Sequence, residues 1–316
     1  MKALTFDQHL TFTANHPIPQ PPDNESLVRV TLVGICNTDL EITRGYNDFH
    51  GVLGHEFVGV AETGPYAGQR VVGEINVACG QCALCLPGHR THCLQRTVLG
   101  ILQRDGAMAE WLTLPHENLH VVPDSVRDEQ AVFVEPLAAA LEILEGVHIQ
   151  PSERVVVIGD GKLGQLVAQV LALTGCDLTL LGRHANKLAL AQRRGINICF
   201  EADAQQLAHA DVVVDCAGSA AGFALASQLV RARGRIILKS TFHGAQSVAL
   251  TPIAVKEISI IGSRCGPFAA ALRLLQRGLV DVESLISEVR PLSDGVAAFE
   301  RAQAAGVLKV LLRCVF

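Results

Sequence analysis

The residues from Cys79 to Cys93, CGQCALCLPGHRTHC, carry four cysteines at the spacing C-x-x-C-x-x-C-x7-C. Four thiolates in so short a loop can close a tetrahedral zinc site, and Gly80, Pro87 and Gly88 let the chain fold back on itself. Cys79, Cys82, Cys85 and Cys93 fill the tetrahedron, so His89 and His92 read as solvated loop residues and no position stays open for a substrate. This lobe is therefore structural, and reactive chemistry has to lie elsewhere. Two other groups qualify: Cys36-Asn37-Thr38-Asp39, after a β-rich stretch, and Gly54-His55-Glu56, which opens the strand FVGVAE. A lone cysteine or histidine on such elements is ordinarily a packed core residue. The adjoining glycine and acidic groups weigh against that reading.

A third group suits a dinucleotide. The strand VVVIG runs into Gly159-Asp160-Gly161-Lys162-Leu163-Gly164 and then a helix, the context that gives a glycine pattern its meaning. The first glycine makes the tight turn, the second admits the pyrophosphate to the backbone, and the third lets helix and strand pack closely. The helix N-terminus supplies free N–H donors and partial positive charge to the phosphates. An NAD site wants an acid at the end of the second strand. Here that strand, LTLL, ends in Gly182-Arg183-His184. Glycine leaves room for a 2′-phosphate and Arg183 offers a forked, permanently charged donor, which predicts NADP in preference to NAD.

The elements that must hold these groups fall into two textures. Up to about residue 120 the chain is punctuated by glycine and proline between short alternating segments such as ESLVRVTLVGIC, EFVGVAETG and AEWLTL, which predicts an antiparallel, barrel-like β domain. From Val155 apolar strands alternate with helices, as in ERVVVIGDG, KLGQLVAQVLALTG and CDLTLLG, which predicts a doubly wound parallel sheet. The late segment DGVAAFERAQAAGVLKVLLRC reads as a helix followed by a strand. At 316 residues, 49% hydrophobic and 18% charged, the chain can bury two cores. Its formal charge of −5, with no run of five like charges, excludes the electrostatic footprint of a nucleic-acid or anionic-membrane binder and favours a small neutral partner. The N-terminus lacks a signal-peptide core, and ten cysteines are expected to remain thiols in the cytoplasm.

Taken in order, GICNTD, GHEFVG, the four-cysteine lobe, GAMAEW, VEPLAAAL and GDGKLG resemble the zinc-dependent medium-chain dehydrogenase/reductase superfamily over essentially the whole chain. The pair Glu135-Pro136 and the wording CNTDLE look most like its sorbitol, glucose and related polyol dehydrogenase branch. The resemblance implies an α/β protein with a GroES-like β-barrel catalytic domain over 1–136, completed by 266–316, and a Rossmann domain over 137–265, with the active site in the cleft between them. It makes Cys36 and His55 ligands of a catalytic zinc, with Glu56 or Glu135 supplying the third protein ligand. By the same resemblance Asp39 is expected to accept a hydrogen bond from His55, Thr38 to hand a proton to the cofactor ribose, and Glu41 to stand at the next relay position. The resemblance also implies that Lys309 approaches the pyrophosphate. The activity implied is interconversion of an alcohol or polyol and its carbonyl compound by zinc-assisted alkoxide formation and hydride transfer to NAD(P). The segment ISIIGS is the edge through which relatives form homodimers or homotetramers. A rival reading is a non-catalytic NADP-binding sensor or structural protein that keeps the structural zinc. A second is a zinc-free enoyl or quinone reductase, but such proteins generally lack both the lobe and the Cys/His set. Tyr46, Asn47 and His50 could contact substrate hydroxyls or serve as turn and surface residues.

Overall fold

The structure, a computed structural model, describes residues 1–240 and 247–314. They form two compact units, residues 1–135 with the segment from 268 onward, and residues 136–267.

The first unit is built around the strand Glu25–Gly34, whose alternating burial follows from its run of valines and leucines. It pairs antiparallel with Glu56–Ala61, with Trp111–Pro115 and with Lys309–Arg313. The C-terminal strand thus returns to the N-terminal sheet and places Leu311 opposite Gly34. Ile286–Pro291 pairs parallel to it and ends the sheet. The short helix Asn37–Ile42 follows directly on the central strand, with Cys36 as its N-cap.

The second unit is a six-stranded, wholly parallel sheet in the order Asn197–Phe200, Asp177–Gly182, Arg154–Ile158, Ala210–Asp215, Val230–Leu238, Ser259–Gly262. In chain order this is 3-2-1-4-5-6, the doubly wound arrangement whose strand order reverses at the first strand. Val155, Val156 and Val157 are fully buried, as are Val212, Val213 and Val214, because helices cover both faces of such a sheet. Helix Lys162–Ala172 follows the first strand and Ala185–Arg193 the second. Among the described residues no helix is long and apolar enough to cross a membrane.

Candidate active site

In the first unit Cys36 and His55 are brought together by neighbouring strands. Cys36 lies just beyond the end of Glu25–Gly34, and His55 just before Glu56–Ala61, which pairs Glu56 with Gly34. One ligand atom each from Cys36, His55 and Glu56 lie within 4.8 Å of one another. Thiolate, imidazole and carboxylate are a ligand set for a catalytic zinc, which keeps a fourth position open. Gly34 makes the set possible, since a Cβ there would stand 2.5 Å from Glu56 Oε2.

Asp39 holds two parts of this centre. Its Oδ2 accepts the Cys36 backbone N–H at 2.7 Å, closing the first turn of the helix. Its Oδ1 lies 3.2 Å from His55 Nδ1, with both side chains buried. That contact meets the distance but not the angle of a hydrogen bond, so charge carries it. Burial alone would depress His55; Asp39 and Cys36 outweigh it and raise the imidazole well above its ordinary value. Such a carboxylate fixes the ring and leaves Nε2 for a metal.

Lys309 has a partner within the site that the sequence does not announce. Its side chain is 2% exposed, and its ammonium is paired with Glu56 Oε2, donates to the Ile35 carbonyl at 3.3 Å and lies 5.7 Å from the centre of the Phe133 ring. The returning strand sets Lys309 beside Gly34 and Ile35, where it grips Glu56. The other carboxylate oxygen, Glu56 Oε1, is buried with no hydrogen-bond partner. Leaving such an atom unsatisfied is costly, and a bound cation would satisfy it. Glu135 lies outside the clustered ligand atoms, in the first turn of the helix Val134–Gly146, where the helix dipole favours a carboxylate.

Thr38 Oγ1 sits 3.8 Å from Cys36 Sγ. Glu41, expected as the next relay group, is engaged by Arg44, whose Nη1 donates to it at 2.7 Å. Tyr46 and Asn47 belong to a short 3-10 turn in which Asn47 has φ 64°, and exposed His50 meets Asp7 at 3.0 Å.

The cysteine lobe is preformed for zinc. Its sulfurs are separated by 3.5 Å (Cys82–Cys85), 3.5 Å (Cys93–Cys79), 3.8 Å (Cys82–Cys93) and 4.0 Å (Cys79–Cys85). Four sulfurs about 2.3 Å from a tetrahedral centre would be about 3.8 Å apart. Backbone N–H groups of Leu94 and Cys85 pull Cys82 down to about 6, and those of Cys79 and Gln95 lower Cys93. Burial pushes Cys85 up to about 11. His89 and His92 are exposed and outside the ligand set.

In the second unit the predicted glycine turn stands at the strand-order reversal. Gly159 has φ 109°, and Gly161 caps the helix opened by Lys162 and Leu163. A Cβ on Gly164 would collide with the Gly159 carbonyl, which is the close helix–strand packing that position requires. A cavity of about 240 Å³ beside the turn is lined by Gly159, Gly161, Gly182, Arg183, His184 and Glu201, among others. Arg183 is 64% exposed at its side chain and paired with Glu201. The glycine motif itself assigns Asp160 no contact. Its carboxylate instead accepts the backbone N–H groups of Arg183 at 2.8 Å and His184 at 2.7 Å, linking the first and second strand ends.

Comparison with known proteins agrees with both halves. Residues 22–124 match the alcohol dehydrogenase GroES-like domain, and residues 163–277 match the zinc-binding dehydrogenase family. A sorbitol dehydrogenase of Halalkalibacterium halodurans is 29% identical over 99% of each chain. An erythritol/L-threitol dehydrogenase of Mycolicibacterium smegmatis is 30% identical over 88% of this chain and 87% of its own. Among solved structures, a zinc-binding dehydrogenase from Sinorhizobium meliloti bound to NADP superposes with a TM-score of 0.90 at 27% identity, covering 99% of this chain and 98% of that one. With a GroES-like domain that gathers Cys36, His55 and Glu56, a four-cysteine lobe and a Rossmann sheet, the chain belongs to the zinc-type medium-chain alcohol dehydrogenases.

Proposed function

We propose that the chain interconverts a polyol or related secondary alcohol and its carbonyl compound with NAD(P). The observation that carries this reading is the Cys36–His55–Glu56 cluster, with His55 and Glu56 buried and one carboxylate oxygen of Glu56 left without a hydrogen-bond partner. Zinc held there would supply Lewis acidity toward a substrate oxygen, and a nicotinamide dinucleotide would supply the hydride acceptor or donor.

The chain's own residues hold and serve that centre. Glu56 is its carboxylate ligand in preference to Glu135, because Glu56 shares the cluster with Cys36 and His55 while Lys309 pairs with one of its oxygens and leaves the other buried without a hydrogen bond. Asp39 orients His55. Thr38 Oγ1, a hydroxyl able to donate and accept at once, takes the substrate hydroxyl proton and passes it outward. Glu41 is committed to Arg44 and is given no step. Gly159, Gly161 and Gly164 with the N-terminus of the Lys162 helix cradle the pyrophosphate. Arg183, at the end of the second strand, favours NADP over NAD.

Polyol relatives such as the sorbitol and erythritol/L-threitol enzymes support the substrate class. The edge strand Ser259–Gly262, with Ile260 41% exposed, supports self-association into a homodimer or homotetramer. All ten cysteines are unbridged, which accords with a reducing cytoplasmic setting. Zinc-loaded protein offered a panel of alcohols, polyols and carbonyl compounds with each cofactor tests the reading. Hydride transfer with a polyol or its ketone is expected. Absence of transfer with every member, together with zinc only in the lobe, would favour the sensor.

A further inference from the structure

Lys239 directly follows the fifth parallel strand, Val230–Leu238, at the carboxyl end of the sheet. Lysines are almost never buried without partners, and this one is 7% exposed. Its Nζ donates to Ser263 Oγ at 2.9 Å and to the Arg264 carbonyl at 2.7 Å, both just past the sixth strand, Ser259–Gly262. The ammonium is therefore held across the ends of two adjoining strands. Gly266, two residues on, packs against the helix Val134–Gly146: a Cβ there would collide with the Ala138 carbonyl and stand 3.0 Å from the Glu142 nitrogen. That packing brings Glu142 to the same corner.

Two neighbours register the charge. Burial raises the Cys216 thiol and Lys239 draws it back down. Cys216 lines the cavity beside the glycine turn, so the field of Lys239 reaches into the crevice at the strand ends. Burial likewise raises the Glu142 carboxyl and Lys239 lowers it, which makes Glu142 the carboxylate that offsets the ammonium. Asp215, at the end of the fourth strand, pairs in register with Leu238, and its carboxylate accepts the Ala217 N–H at 2.9 Å.

A doubly wound sheet takes one mononucleotide on each half of its crevice. The glycine turn and the end of the second strand serve one half, so the ends of the fourth, fifth and sixth strands face the nicotinamide half. When an alcohol is oxidised, a hydride leaves its C–H bond for nicotinamide C4 and the hydroxyl proton goes to solvent. The ring thereby passes from a pyridinium cation to a neutral dihydropyridine. A fixed positive charge nearby disfavours the cation and leaves the neutral ring almost untouched.

We propose that Lys239 is a specificity-determining residue for the redox state of the coenzyme, favouring NAD(P)H over NAD(P)+ and so drawing the bound equilibrium toward alcohol oxidation, and that Glu142 limits this preference. The inference rests on the reading of the second unit as the NAD(P) site. A unit charge acting over about 10 Å at the effective permittivity of a protein surface changes such an equilibrium by about tenfold.

Fluorescence titration of the zinc-loaded full chain with NADH and with NADPH, followed by displacement of each with its oxidised form, tests it. The ratio of reduced to oxidised affinity is the readout, and the 2′ substituent, common to each pair, cancels. Lys239→Met should lower the ratio about tenfold, chiefly by tightening the oxidised form. Lys239→Arg keeps the charge and should keep the ratio. Glu142→Gln, on a half-buried helix position, should raise it several-fold and decides the matter should Lys239→Met fail to fold. Equal weakening of both redox forms in Lys239→Met would reduce Lys239 to a clamp on 263–264 and overturn the inference. A ratio unchanged in Lys239→Met or in Glu142→Gln, or lowered as far by arginine as by methionine, overturns it too. A wild type that binds neither NADH nor NADPH overturns the coenzyme reading beneath it.

Discussion

Replacing Lys309 by Met removes a buried ammonium and strands a buried carboxylate. The two side chains are 2% and 1% exposed, so solvent cannot compensate. Breaking such a pair from one side costs about 3–5 kcal/mol, far more than the 0–1 kcal/mol of an exposed pair. The loss adds the Ile35 carbonyl bond and the position over Phe133. At roughly 2–4 °C per kcal/mol for a unit of this size, the first unit should melt about 6–20 °C lower. The chain's single tryptophan, Trp111, stands on the strand beside Glu25–Gly34 and reports on that unit. Urea unfolding followed by its fluorescence should show the loss most strongly in metal-free protein, because a bound cation balances Glu56 when Lys309 is gone. Adding Glu56→Gln to Lys309→Met should restore at least about half of the loss, since the stranded charge is its main source. A single variant within about 1 kcal/mol of wild type without metal, or a double variant no better than the single one, would refute the reasoning.

Thr38→Ala should lower kcat strongly while zinc content, measured by plasma emission, stays at the wild-type level; near-wild-type turnover would remove Thr38 from proton transfer. The two carboxylate oxygens of Glu25 accept from Arg104 Nη1 at 3.0 Å and Nη2 at 2.8 Å. Burial alone would raise its carboxyl, but Arg104 holds it below the ordinary value. The stability Glu25 contributes is therefore present above its unfolded value of about 4.3 and is lost as pH falls through the lower folded value. Arg104→Met should move the acid-unfolding midpoint to higher pH, and an unmoved midpoint would contradict this linkage.

The chemistry that depends on local spacing was the most legible. Four cysteines within one loop, a glycine turn between an apolar strand and a helix, and the parallel strands read directly because each signal lies within one short segment. Contacts made across the chain were not. Lys309 and Glu56 are 253 positions apart, and only the addition of Lys309–Arg313 beside Glu25–Gly34 brings them together. Asp160 reads as the variable residue of its motif until the second strand end folds onto it. Ile286–Pro291, with Ser287, Glu288 and Arg290 polar and a proline at its end, carries the weak pattern of an edge strand. The hairpin Ala3–Asp7 with His9–Thr13 turns at Gln8, whose φ of 58° would call for glycine or asparagine by local preference.

Metal stoichiometry of purified wild-type and Cys36→Ser protein tests the central claim most directly. The account predicts about two zinc ions per chain in wild type and about one in the variant, the remaining ion held by Cys79, Cys82, Cys85 and Cys93. A wild type with zinc in the lobe alone, or a Cys36→Ser variant that keeps both ions, would contradict it.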